Sequence, residues 1–129
     1  MATGFPASTG NVLTAAMFNE LVQYTINTQS GTTYTLASTD QYQVLILTSN
    51  ASTKTVSIPT DATTNFGIGT AITVLNTGAG DCTISAATPG TTTVTSAGAT
   101  SASPKVLTNN AVVCIKTAAN TWRVVGSVA

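Results

Sequence analysis

"YQVLILTSNASTKTVSIP", residues 42–59, holds two short runs of β-branched and aliphatic residues separated by Ser, Asn, Ala and Thr. The second run, residues 54–59, alternates strictly, with Val56 and Ile58 on one side and Thr55 and Ser57 on the other. Pro59, which has no N–H for a ladder, closes it. Period-two alternation of this kind marks a half-buried strand. The first run, residues 42–48, is the most apolar in the chain and is therefore placed centrally in a sheet.

Working outward, the same signal recurs on both sides. Residues 32–36 ("TTYTL") precede the pair, and residues 71–76 ("AITVLN") and 81–85 ("DCTIS") follow, flanking a Gly-bearing "TGAG" link that reads as a β-hairpin. Residues 91–96, 105–108, 111–116 and 121–127 complete the set. Asn109 and Asn110 are suited to a positive-φ turn, and "AAN" leads into the last strand. About nine short strands at this spacing predict an all-β protein: a small antiparallel β-sandwich, jelly roll or barrel, with strands joined largely as antiparallel neighbours. Threonines such as Thr55, Thr73, Thr83, Thr93 and Thr95 fall on the non-apolar faces, where they cover a solvent face or pack across a polar subunit interface.

The exception is the beginning. In "FPASTGNVLTAAMFNEL", residues 5–21, Met17, Phe18, Leu21 and Val22 lie on one helical stripe, Thr14 is a suitable N-cap, and "TINTQSG" ends the segment. A helix of about three turns is unstable alone, so its stripe must dock. The expected organisation is an N-terminal arm and short helix over residues 1–30 and a β domain over residues 31–129.

Only 6% of the 129 residues are charged, the net charge is zero, and Lys54, Lys105, Lys116 and Arg123 stand far apart in sequence. Clustered positive charge for a phosphate backbone is missing, so nucleic acid is not an expected partner. Low net charge also removes the repulsion that keeps monomers apart, which favours assembly. No apolar run reaches the roughly 18 residues of a membrane helix, and no signal peptide is visible. The chain has no His. That removes the commonest general base and every Ser-His or Cys-His nucleophile arrangement.

The carboxylates Glu20, Asp40, Asp61 and Asp81 fall in the helix or in turn contexts, where Asp caps backbone N–H groups. A hydrolase pair of Asp40 and Asp61 is the enzymatic alternative. Cys82 and Cys114, each inside a strand-like run, are core residues or a disulfide, and they have no CxxC spacing for a metal. Trp122 is a core plug or an exposed sugar platform. The expectation is a non-enzymatic protein with no cofactor, no metal and no small-molecule substrate.

The opening "ASTGNVLTAAMFNELV" resembles the start of many phage tail and virion accessory proteins. The downstream "QVLIL", "VSIP", "FGIGTAITVLNTGAGDCTIS" and the terminal Trp122, Val124 and Gly126 are similar to the compact β domain recurrent in phage tail fibres and head decoration proteins. The resemblance implies a structural protein of the virion, assembled in the host cytoplasm. A homotrimeric capsid decoration (cement) protein bound to the major capsid protein fits best, because the long repetitive shaft of a tail fibre is missing. A tail-fibre or tail-tip adhesin binding a host glycan through loops such as "ATPGTT" and "SAGATSASP" is the alternative. In the decoration reading Phe5, Pro6, Val12 and Leu13 form an arm on the capsid, and Met17, Phe18 and Leu21 pack the helix on the β body or a sister subunit. A helix that merely plugs its own β domain is the other possibility.

Overall fold

The structure, a computed structural model, describes residues 23–96 and 103–129 and, ahead of them, residue 15 alone. Among these residues ten strands form two sheets. The six-stranded sheet contains, in spatial order, β1 (Thr25–Gln29), β3 (Val44–Thr48), β5 (Ala71–Asn76), β9 (Ala111–Ala118), β10 (Thr121–Gly126) and β7 (Thr93–Ser96). The four-stranded sheet contains β2 (Thr33–Thr35), β4 (Lys54–Ile58), β6 (Cys82–Ala86) and β8 (Lys105–Val106). A single 3-10 turn, Ser38–Asp40, precedes β3.

All-β is therefore correct, and each of the nine expected strands is present within two residues of its expected ends. The antiparallel connectivity is not. The chain alternates between the sheets, so that β1, β3 and β5 stack in parallel in one sheet while β2, β4 and β6 stack in parallel in the other. β7 lies parallel to β10, and only β5/β9, β9/β10 and β6/β8 are antiparallel among the described strands. The expected hairpin across "TGAG" does not form, because β5 and β6 belong to different sheets. β9 and β10 do form a hairpin through "AAN", with Asn120 at φ 49° in its turn.

Crossing between sheets is what gives these strands one buried face each. Val44 and Ile46 of β3, Ile72 and Val74 of β5, and Val112 and Cys114 of β9 face Val56 and Ile58 of β4 and Cys82 and Ile84 of β6 in one hydrophobic core. Trp122 is a core residue at 1% exposure, edge-on to Phe66 with ring centroids 5.5 Å apart and an interplanar angle of 89°. That geometry suits the ring quadrupoles. The Trp122 Nε1 is buried without a hydrogen-bond partner. Both cysteines are free thiols and fully buried, which decides for the core reading over the disulfide.

β1 is the strand that the sequence reading omitted. Its half-buried residues Asn27 and Gln29 are polar, opposite Ile46 and Thr48, whereas Thr25, Ile26 and Thr28 are exposed. Residues 25–29 therefore belong to the β body, ahead of the boundary expected at residue 31. The expected helix and Phe5, Pro6, Val12, Leu13, Met17, Phe18 and Leu21 lie outside the described residues.

Candidate functional surface

Charged side chains are the usual markers of a site, and here most of those in the β body are spent on holding the fold. Lys54 begins a strand in which Val56 and Ile58 point inward, so its own side chain points inward too and is 3% exposed. Its Nζ donates to the carbonyl oxygens of Asn50 and Gly80, both at 2.7 Å, and to that of Ser52 at 3.5 Å. Asn76, buried beside it, donates through Nδ2 to the Gly80 and Val106 carbonyls. These bonds tie the loops after β3 and β5 together at one end of the core. Gly78 and Gly80 allow the close approach, since a Cβ at either would collide with the Asn50 or Ser52 backbone.

The opposite end is fastened by Lys116, which follows the same alternation on β9 after Val112 and Cys114. Its Nζ donates to Asp61 Oδ1 at 2.8 Å, Asn65 Oδ1 at 3.1 Å and the Phe66 carbonyl at 2.6 Å. Asp61 Oδ2 accepts from the Asn120 backbone N–H, and Asn120 Oδ1 accepts from that of Asp61. The hydrogen bond from Lys116 holds the Asp61 carboxyl below its ordinary range. Asp40, also buried, accepts from Asn27 Nδ2, the Tyr34 hydroxyl and the Ala37 N–H at 2.8, 2.6 and 2.8 Å. Asp40 and Asp61 thus serve separate networks and do not form the paired-carboxylate site that was the enzymatic alternative. Among the described residues no three His, Cys, Asp or Glu gather as metal ligands, and no helix is long and apolar enough to cross a membrane.

Burial and the bonded Asp40 carboxylate together push the Tyr34 hydroxyl up to about 12, from an ordinary 10.0. Because the folded value is raised, the neutral phenol stabilises the fold below pH 10, and that contribution is lost as pH rises toward the folded value. Ultraviolet titration at the phenolate band is expected to show the Tyr34 phenolate forming only as the pH nears about 12. In Asp40→Asn, Tyr34 is expected to titrate earlier. Burial likewise raises both thiols, Cys114 to about 12 with a further contribution from nearby Cys82, which makes them poor nucleophiles in the folded chain.

With Lys54, Lys116, Asp40 and Asp61 engaged internally, the distinguishing feature is the contrast between the two outer faces. The four-stranded sheet presents Thr33, Thr35, Thr55, Ser57, Thr83 and Ser85, as the threonine pattern predicted. The six-stranded sheet presents a more apolar row: Ile26, Leu45, Val113 and Val125, with Thr73 among them, stand side by side across five strands, and Thr28, Thr95 and the exposed Arg123 share the same face. Leu47 and Leu75 extend it on one side, and Ala71 and Ile115 on the other. Ile26 is 59% exposed and Val125 38%. The uninterrupted "VLIL" of β3 carried this signal, because a strand that is apolar at every position has no solvent face to offer.

At the corner where the chain enters β1, Tyr24, Tyr42 and Ile68 are also exposed. Tyr42 and Gln43 both have left-handed backbone, at φ 63° and 62°, an unfavourable arrangement for side chains of that size. They border a shallow cleft of about 390 Å³ with Gly67, Ile68 and Thr70. A second cleft, of about 460 Å³, is lined by Pro89, Gly90 and Thr92 of the "ATPGTT" loop with Thr93, Thr95 and Ser96. Both clefts are neutral. Comparisons of the chain with protein-family models, curated proteins and solved structures return no significant match.

Proposed function

We propose that this chain is a non-enzymatic structural protein of a phage particle, a homotrimeric decoration protein that fastens the major capsid protein lattice of the head. The observation that supports this reading is the use of charge. Lys54, Lys116, Asp40 and Asp61 are all engaged in internal fastening, while the outward surfaces are Thr/Ser on one side and, on the other, a mixture of aliphatic residues and threonine with Arg123. A surface of that kind suits permanent packing against protein rather than turnover of a substrate. Architecturally, the two sheets are taken as a small β-sandwich carrying a short N-terminal helix. Phe5, Pro6, Val12 and Leu13 act as the arm on the shell, and three arms on one trimer multiply a weak contact into a firm one. Nucleic acid, membrane, cofactor and small-molecule substrate have no part in it, and the protein resides in the virion after assembly in the host cytoplasm.

A second reading, a tail-fibre or tail-tip adhesin, is favoured by the two neutral clefts. Tyr42 offers an aromatic face beside amide and hydroxyl groups, a composition suited to a glycan.

Antibody-gold labelling of intact virions, with the band intensity of this chain measured against the major shell protein, separates the two. Dense head label with comparable band intensity is the expected result. Sparse label at the tail transfers the function to the clefts, and particles without label overturn both readings.

A further inference from the structure

We infer that the cleft of about 460 Å³ beside β7 is a docking groove for an extended, uncharged peptide segment of a partner chain, which adds as a strand along the open edge of β7. Five consecutive residues, Thr92, Thr93, Val94, Thr95 and Ser96, line the cleft together with Ser85 and Ala86 of β6. Successive side chains of a strand point to opposite faces, so only the backbone edge is common to all five. β7 is the last strand of the six-stranded sheet, and its other edge is paired in parallel with β10. The Thr93 N–H donates to the Asn120 carbonyl at 2.8 Å. In a parallel ladder alternate residues bond to the same neighbour, so the N–H and C=O groups of Val94 and Ser96 point away from β10, to the open side. An edge of this kind is a template for another strand.

The inward side chains say what the segment carries. Thr92, Val94 and Ser96 share that face by alternation; Thr92 is 4% exposed, and its Oγ1 and the Ser96 Oγ are buried without a hydrogen-bond partner. Buried hydroxyls are costly to leave unpaired, and a ligand that reaches them removes the cost. They stand four residues apart, about 13 Å along the strand, with Val94 between them. A strand laid alongside meets them with hydroxyl or amide side chains at two positions four residues apart and an aliphatic one midway. Among the described residues no charged side chain lines the cleft, so a charge on the segment would be desolvated there without a partner. The open edge is about 17 Å long, the length of one five-residue strand. Association of folded chains uses about 800 Å² per partner, so a single segment suits the groove better than a second copy of the chain does. The inference does not depend on the particle assignment.

Nuclear magnetic resonance of the full chain tests it with a synthetic probe, the end-blocked peptide Gly-Ser-Thr-Val-Thr-Ser-Gly. Its addition is expected to shift the amide signals of Val94, Ser96, Ser85 and Ala86 and to slow hydrogen exchange at Val94 and Ser96 several-fold. Backbone methylation separates an added strand from loose adsorption. Of two probes, one N-methylated at both Thr positions and the other at the Ser and Val positions, one is expected to bind as the parent peptide does and the other not at all, because alternate N–H groups of a strand face the same edge. Ser96→Pro removes one donor from the open edge and leaves the β10 ladder intact; it is expected to abolish the response with the strand signal in circular dichroism unchanged. No shift, shifts confined to other residues, or equal binding by both methylated probes overturns the inference. Shifts of the same amides with protein concentration in the absence of peptide would assign the edge to a second copy, which also overturns it.

Discussion

Lys116→Ala is expected to lower the stability of the fold by about 3–5 kcal/mol, the usual cost of removing one partner from a buried ion pair. The substitution strips the donor from three acceptors at once: the Asp61 carboxylate, the Asn65 side-chain oxygen and the Phe66 carbonyl. It also opens a void beside Phe66 and Trp122. Asp61 would keep its bond from the Asn120 N–H, so the loop after β4 loosens from β9 while still touching the β9–β10 turn. Denaturant unfolding gives the loss directly.

The pH dependence gives a second check. In the parent chain the folded Asp61 value lies below its ordinary 3.8, so its contribution is complete above that pH and is lost as pH falls through the folded value. Lys116→Ala is expected to flatten this acid limb. An unchanged acid limb would mean that the Lys116–Asp61 bond contributes little.

Trp122→Ala carries the other large effect, about 3–5 kcal/mol, because it removes the largest fully buried side chain of the core. Trp122 sits on β10 between Lys116 of β9 and Val94 of β7, with Phe66 edge-on against it. Its loss removes the packing that joins the edge strand β7 to the rest of the sheet. Trp122→Phe is expected to cost much less, since it keeps a ring against Phe66 and deletes the unpartnered Nε1. Thermal unfolding of the two variants side by side measures the difference, and equal losses would show that the indole volume, rather than the aromatic contact, is what the site requires.

The strands were legible because each has one buried face. Val56 and Ile58, or Val112 and Cys114, announce a half-buried strand wherever it sits in a sheet. The partner of each strand was not legible, because alternation specifies which face is buried and is silent on whether the neighbour runs parallel. The usual cue for parallel strands, apolar residues on both faces, is present in β3 but missing from β4 and β6, whose outer faces are Thr and Ser. Nor does a repeat betray the coils: Thr25 pairs with Val44 and Leu45 with Thr73, so the step along the chain changes from one layer to the next.

β1 escaped notice because its inward side chains are polar, with Asn27 reaching the buried Asp40 rather than the hydrophobic core. The inward lysines were readable in principle. Lys54 and Lys116 share the parity of the aliphatic residues beside them, and a lysine in register with a buried face is a candidate for a carbonyl cage or an ion pair.

The alternating path between sheets also bears on how the chain finds its structure. Among the described pairings only β9 with β10 joins strands that are neighbours in sequence. Every other ladder waits for an intervening strand to be laid down in the opposite sheet, so the entropy of closing long loops is met before most hydrogen bonds form. A chain built this way folds slowly for its size. Among the described residues the C-terminal hairpin is the one ladder that can begin locally, and the first layer, β1 with β2, is completed only once β3 and β4 have been laid against it.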